Sequence, residues 1–251
     1  VLQTLLQGLW PFVGRNDNRE FWTHAMYSTC MQCFFLDIGS YTASLGLVTD
    51  AGATVAPLEN SKDESALLPQ IEKFLESHSA EFSSLTHLMA VTGPGGFMSL
   101  RTGITLMNTL QWRFGIPLAG IHLSDLWKIR VLSLLSPARP HPQPLPQNGG
   151  GEKGEGALWI HSTKKEAFFV RGFGTFAKKW QEPTLLSLTD LQKEITEETA
   201  FIGEVLDEQR QKLPMLKEIE KTQSLEDVLP DLVKTATFEK KSLLPWYGRG
   251  A

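Results

Sequence analysis

The sequence predicts an α/β protein of two lobes, each a mixed sheet with flanking helices, the second lobe reduced. Three observations carry that prediction. Short apolar runs with strand-like composition begin just after Met31; two amphipathic helical patterns flank another such run between residues 65 and 114; and a proline- and glycine-rich break at 136–156 leads into shorter, weaker patterns.

In chain order, Phe34 to Ile38 and Ala43 to Thr49 read as strands, Asp50-Ala51-Gly52 as a hairpin turn, and Thr54 to Leu58 as a third strand whose Pro57 suits an edge. Ser65 to His78 carries Leu67, Leu68, Ile71, Phe74 and Leu75 on one stripe opposite Gln70, Glu72, Lys73 and Glu76, the pattern of an amphipathic helix. Leu88 to Thr92 reads as a buried strand that Gly93-Pro94-Gly95-Gly96 ends abruptly. Ser99 is an N-cap candidate, and Leu100, Ile104, Met107, Leu110 and Phe114 then recur at helical steps until Gly115 and Pro117. Leu106 and Trp112 lie off that stripe, so this helix carries apolar residues on more than one face. Leu118 to Ile121 reads as a short strand and Ser124 to Leu135 as a helix. Beyond the break, Ala157 to His161 and Glu166 to Phe173 form a hairpin pattern, and Leu185 to Leu188, Thr189 to Ile195 and Phe201-Ile202 continue a small mixed lobe. Glu204 to Lys221 and Leu225 to Ala236 read as surface helices around Pro214 and Pro230. The expected division is 1–31 as an extension outside the native fold, 32–135 as the first lobe, 136–156 as an inserted linker and 157–251 as the second lobe.

Composition narrows the function classes. Of 251 residues, 41% are apolar and 21% charged, so a folded core is expected. No apolar run approaches the roughly 20 residues of a membrane helix, and the first 30 residues lack the basic start of a secretory signal; with the two cysteines read as reduced, a cytoplasmic location is expected. A net charge of −4 argues against an independent nucleic-acid footprint, because phosphate neutralisation supplies most nonspecific affinity. The two cysteines, Cys30 and Cys33, would need two more ligands to hold zinc. The six histidines include no pair spaced to share a helix face, so neither a metal nor another cofactor is expected.

The glycine-rich segment from Gly93 to Gly103 has two readings. A helix start offers free N–H groups to an anion, or the glycines only let strand and helix pack closely. The segment lacks the lysine of a P-loop and the spacing of a dinucleotide fingerprint. Asp37-Ile38-Gly39-Ser40, placed after a strand, has the form of a first phosphate motif, in which glycine admits the phosphate and aspartate orients metal or water. On that reading Asp37, Gly39, Ser40, Gly93, Gly95 and Gly96 would contact a nucleotide.

Three strands, helix, strand, helix, then a linker and a weaker lobe is the element order of the actin-like ATPase (ASKHA, ribonuclease H-like) superfamily. The chain resembles in particular the TsaB (YeaZ) family of the Gcp-like group. The family pattern G-P-G-S-F-T-G-L-R-x-G is met at Gly93, Pro94, Gly95, Phe97, Leu100, Arg101 and Gly103, with departures at Gly96, Met98 and Ser99. Gly115-Ile116-Pro117 and Leu67-Leu68-Pro69 also match, whereas the amino-terminal Asp-Thr-Ser survives only as Asp37 and the later Asp-Ala-Arg-Arg-x-Glu hairpin only as Glu166. The resemblance implies a non-catalytic subunit for making N6-threonylcarbamoyladenosine at position 37 of tRNA. Such a subunit pairs with a TsaD-like paralogue and works with a TsaE-like ATPase, meeting tRNA only through the complex; self-association stays open. The resemblance places the two first-lobe helices at the partner, giving Leu67, Leu68, Ile71, Leu75, Leu100, Arg101, Ile104 and Met107 as partner-binding residues. The competing reading is an actin-like ATPase or small-molecule kinase working through Asp37. The second lobe has no adenosine-loop glycine pair, and no Ser/His/Asp grouping is evident to support a peptidase.

Overall fold

The computed structural model describes residues 31–59, 63–135, 156–163, 166–195 and 197–248. The expected extension and the 136–156 linker therefore lie almost wholly outside the described residues. In chain order the elements are β1 (Gln32–Asp37), β2 (Ser44–Thr49), β3 (Gly52–Pro57), α1 (Glu64–Ser77), β4 (His87–Gly93), α2 (Phe97–Phe114), β5 (Leu118–His122) and α3 (Leu123–Leu135). There follow β6 (Ala157–Ser162), β7 (Ala167–Phe173), β8 (Thr184–Ser187), α4 (Leu188–Glu194), β9 (Thr199–Glu204), α5 (Asp207–Arg210), β10 (Leu216–Glu218) and α6 (Leu225–Thr235).

The two sheets share one plan. The first runs β3-β2-β1-β4-β5 and the second, from the opposite end, β8-β7-β6-β9-β10. In each, a three-stranded antiparallel meander is followed by a strand parallel to its first member, β4 beside β1 and β9 beside β6. A parallel neighbour needs a crossover, and a helix supplies it in both lobes. Between β3 and β4 this is the 14-residue α1, and between β8 and β9 the seven-residue α4. The 18-residue α2 that links β4 to β5 has as its counterpart the four-residue α5. This is the reduced second lobe that the sequence predicted.

Alternation within the strands sets the cores. In the register Phe34 opposite Leu47 and Leu88, and Leu36 opposite Leu45 and Ala90, one face of the first sheet turns its large side chains toward α1 and α2. The other face meets α6, where Leu229 lies against Gly46 and Phe35. In the second unit Leu158, Ile160, Phe168, Val170 and Phe201 pack with Trp180 and Leu191.

The structure corrects three expectations. Helix α2 starts at Phe97 with Gly96 as its N-cap residue, so Ser99 sits inside the first turn. The charged stretch after Glu204 is not a helix: α5 is a single turn, Pro214 interrupts it, and Leu216–Glu218 pairs in parallel with Thr199–Phe201. A three-residue strand is too short to show alternation, and its charges misled the sequence reading. The division at 135 and 157 also fails. Among the described residues the compact units comprise 31–121 with Leu225–Tyr247, and 122–224 with Gly248. Each helix that follows a sheet's last strand packs in the other unit: α3 on β6 and β9, α6 on β2 and β3.

Met107 is fully buried between α2 and the first sheet. Met107→Ala should therefore lower stability by about 2–5 kcal/mol, read as a shift in the urea midpoint at unchanged slope. A change below about 0.5 kcal/mol would contradict this packing.

Candidate functional site

The glycine turn and the Asp37 turn meet at the carboxyl ends of the neighbouring strands β4 and β1. Asp37 is 2% exposed, and its carboxylate is already occupied. Oδ1 accepts from the Gly39 and Ser40 backbone N–H groups at 3.0 Å each, and Oδ2 accepts from Ser40 Oγ. These are the donors that a first phosphate loop would offer an anion, and here they hold the chain's own carboxylate. The gap is closed as well. A Cβ on Gly95 would lie 2.6 Å from Gly39 Cα, so the two loops touch backbone to backbone. Asp37, Gly39, Ser40, Gly93 and Gly95 are thus brought together as the nucleotide reading required, but in contact with one another. Gly96 is exposed at the start of α2 without a side-chain cap. In the first lobe this geometry speaks against phosphate binding between these loops.

The residues expected at a partner face through α1 and α2 divide sharply. Leu67, Leu68, Ile71, Leu75, Leu100, Ile104 and Met107 are all at most 8% exposed, and Arg101 alone of the set faces solvent. The expected apolar partner face is therefore the inward face, and a charge at Ile104 or Met107 would disrupt the lobe itself rather than only separate two proteins. Leu106, off the main stripe, is 2% exposed and also belongs to the core. Trp112 does not. It is 80% exposed near the end of α2, while Phe97 and Met98 at the helix start are 57% and 55% exposed. Met98, Arg101, Thr105, Asn108 and Trp112 follow three- and four-residue steps along the outer side of α2. On α1 the outward residues are Pro69, Glu72, Lys73 and Glu76. The sequence signal for this face was Trp112, a large apolar residue off the dominant stripe; Phe97 and Met98 were masked by their place in the glycine-turn motif.

Comparison with known proteins follows the same division of the molecule. The family model of TsaD, tRNA N6-adenosine threonylcarbamoyltransferase, matches residues 42–126, which contain α1, the glycine turn and α2. No curated protein matches the sequence. Two solved structures from Pseudomonas aeruginosa cover the fold. One, an uncharacterized protein with similarity to peptidase YEAZ, superposes with a TM-score of 0.57 at 14% identity, covering 87% of this chain and 100% of that one. The other, YeaZ, superposes with a TM-score of 0.55 at 14% identity, covering 86% and 100%. The chain has the fold of YeaZ. Its two mixed sheets with flanking helices are the arrangement expected from the order of its elements.

The chain holds a further polar cluster, in the second unit, that the sequence did not announce. Trp159 and Arg171 are cross-strand partners, and His161 lies beside Glu204 on β9, so all four share the sheet face that α3 covers. His161 Nδ1 is 3.2 Å from a Glu204 oxygen, both side chains being buried. Arg171 donates to Ser124 Oγ at 2.8 Å and to Asp125 at 2.6 Å. His122 Nδ1 accepts from the Ser124 N–H at 3.1 Å, which caps α3 and requires the unprotonated nitrogen there. Trp159 is fully buried between the two imidazoles, with ring centroids 5.9 Å from His122 and 6.1 Å from His161. The set includes serine, histidine and aspartate, yet it is no hydrolytic triad. Ser124 is fully buried, and its contact with His122 is a two-residue helix cap. Its members come from positions 122–125, 159–161, 171 and 204, a spacing that only the sheet pairing makes intelligible. Elsewhere, Cys33 sits in β1 with burial pushing its thiol up to about 12, which keeps it protonated and unreactive. Its partner in the C-x-x-C pair, Cys30, lies outside the described residues.

Burial also holds His122 down at about 4, against an ordinary 6.5. The unfolded chain therefore binds the extra proton first, so this contribution is fully present above pH 6.5 and is lost as pH falls toward 4. The loss should be on the order of 3 kcal/mol. His122→Asn keeps a capping oxygen but cannot titrate, so urea denaturation between pH 7 and 4 should show a smaller acid loss in that variant. Equal losses in both chains would refute this role for His122.

Proposed function

We propose that this YeaZ-like chain is a non-catalytic subunit in the synthesis of N6-threonylcarbamoyladenosine in tRNA, pairing with a TsaD-like paralogue through the outer faces of α1 and α2. The match to the TsaD family model falls on the segment that contains both helices and the turn between them. The observation that carries the reading is Trp112. A tryptophan 80% exposed on a helix whose opposite face is closed by its own core is the kind of residue that a protein partner covers. Phe97, Met98 and Arg101 extend the same face, and methionine, aromatic residues and arginine are the types enriched at interface centres.

The reading also fits the chemistry of the first lobe. Its phosphate-motif donors serve Asp37, so catalysis falls to the paralogue, and a TsaE-like ATPase supplies nucleotide turnover. With a net charge of −4, tRNA is met through the complex. No helix among the described residues is long and apolar enough to cross a membrane, which suits work on tRNA in the cytoplasm. The rival reading, an ATPase or kinase acting through Asp37-Ile38-Gly39-Ser40, requires the Asp37 carboxylate to leave its three donors.

Trp112→Asp should weaken binding to the TsaD-like paralogue by about 2 kcal/mol, roughly thirtyfold, and leave the melting temperature nearly unchanged. Copurification of the coexpressed pair and a titration of the purified proteins read the first effect, and thermal melting the second. Undiminished binding would place the interface elsewhere. ATP hydrolysis by this chain alone, abolished by Asp37→Ala, would favour the rival.

A further inference from the structure

After α6 the chain returns along the first lobe to its glycine turn. Residues 237–247 have no helix or extended strand, and none of them is fully buried. They are nevertheless held at points along their length. Phe238 meets the His87 ring edge to face, with centroids 4.7 Å apart. Glu239 exchanges two backbone hydrogen bonds with Leu118 of β5, at 2.8 and 3.1 Å. Asn108 on α2 then grips the Leu243 backbone with both ends of its amide, Nδ2 donating to the carbonyl at 2.9 Å and Oδ1 accepting the N–H at 2.8 Å. Finally the Trp246 N–H donates to the Thr92 carbonyl at 2.7 Å, and Tyr247 packs on Phe97 with ring centroids 4.9 Å apart.

The groove is shaped for this strap. A Cβ on Gly120 would lie 3.0 Å from a Leu243 methyl, and one on Gly93 only 2.4 Å from the Trp246 carbonyl oxygen. The strap thus lies along β5, the end strand in the order of the first sheet, where exposed backbone invites pairing with another chain. It also covers the backbone of the glycine turn and one face of Phe97. Its own outward side chains are apolar in part, with Leu244 81% and Tyr247 42% exposed. A segment without helix or strand, with no side chain fully buried and Leu243 packed against the edge of the core, belongs to the low-stability end of a fold, where opening precedes global unfolding.

We propose that residues 237–247 form a latch that opens without unfolding the first lobe, and that the TsaD-like paralogue binds the open form, in which Phe97, the Gly93 turn and the β5 edge are uncovered. The second half of this proposal rests on the reading of α2 as the partner-binding helix. The Asn108 clamp sets the latch equilibrium, because it grips backbone at the middle of the strap and both of its bonds are lost on opening. While the closed form dominates, the paralogue's apparent affinity is its affinity for the open form scaled by the open fraction. Any change that multiplies the open fraction must therefore divide the apparent dissociation constant by the same factor.

The test compares the full-length chain with Asn108→Ala by hydrogen exchange, and titrates both with the purified TsaD-like paralogue. Two lost hydrogen bonds should speed exchange at Leu243 and Trp246 about tenfold or more, with the amides of β1 and β4 unchanged, and paralogue affinity should tighten by the same factor within about twofold. Glu239→Pro, which removes the N–H that donates to the Leu118 carbonyl and leaves Asn108 intact, should move both readings the same way and guards against a local effect of the alanine. Strap amides that exchange only together with β1 and β4, or at equal rates in all three chains, would overturn the latch. A strap that opens faster without tightening the paralogue would overturn its gating role and leave the proposed pairing intact. If the strap opens as expected and none of the chains binds the paralogue, the pairing and the gating both fall while the latch stands.

Discussion

The first lobe depends on a single close approach, the backbone contact between the loops that leave β1 and β4. These strands are parallel neighbours, so both loops emerge at the same end of the sheet and must share the space above it. Asp37 folds the first loop onto itself with three hydrogen bonds, and glycine at positions 39 and 95 lets the second loop rest directly on it. That contact lets α2 begin immediately after the turn and lie over the sheet, with Leu100, Ile104 and Met107 sealed beneath it. An open pocket between the loops would require them to part, and the start of α2 would move with them. The same contact that builds the core thereby closes the space between the two loops.

The shared plan of the two sheets shows where the molecule changed and where it did not. Strand order and direction agree between the lobes, while the connecting helices shrink from 14 and 18 residues to seven and four. Short crossovers cover less of a sheet face. In the second unit one face is closed by Trp180, Leu191 and their neighbours, and the other by α3 through the His122, Arg171 and Glu204 cluster. A buried polar cluster is a costly way to close a face, and here Arg171 is held by Ser124 and Asp125 while His161 lies 3.2 Å from Glu204. The arrangement fixes α3 through its first residues, because the cap, the arginine and the aspartate all converge on the turn at Ser124.

Much of the fold was legible in the sequence because period and punctuation agreed. Strands β1 to β5 and helices α1 and α2 were bounded by Gly52, the Gly93 turn and Gly115, and each appears within a few residues of its expected place. The failures beyond the cap of α2 share a cause, which is that they depend on partners distant in sequence. The strand β10 exists only through its pairing with β9, and the placement of α6 follows from a Leu229 contact with Gly46 and Phe35, nearly 200 positions earlier. The polar cluster is likewise invisible until β6, β7 and β9 are set side by side. For the candidate site the error was more instructive. The resemblance places both helices at a partner and so offers Leu67, Ile71, Ile104 and Met107, yet these form the strongest stripes, and the strongest stripe on a helix is the one its own core requires.

An interface helix therefore has to be sought in the weaker pattern, and energetics says how much of it is needed. A tryptophan side chain buries roughly 150–250 Å², so covering Trp112 supplies about 3–5 kcal/mol before the cost of ordering two proteins. That cost is of the same size or larger. Trp112 alone would then give no stable pair, and the proposed face must draw on residues elsewhere along the helix. The apolar ones are Phe97 and Met98, a helix length away at the glycine turn, and Phe97 is the residue that the carboxyl-terminal strap touches through Tyr247. The two ends of α2 are thus unequal: Trp112 stands uncovered by the strap, whereas Phe97 shares its surface with a segment of its own chain. On the proposed pairing, affinity along one continuous helix would then depend on whether that segment stays in place, and the Asn108 amide, midway between the two ends, is what grips it.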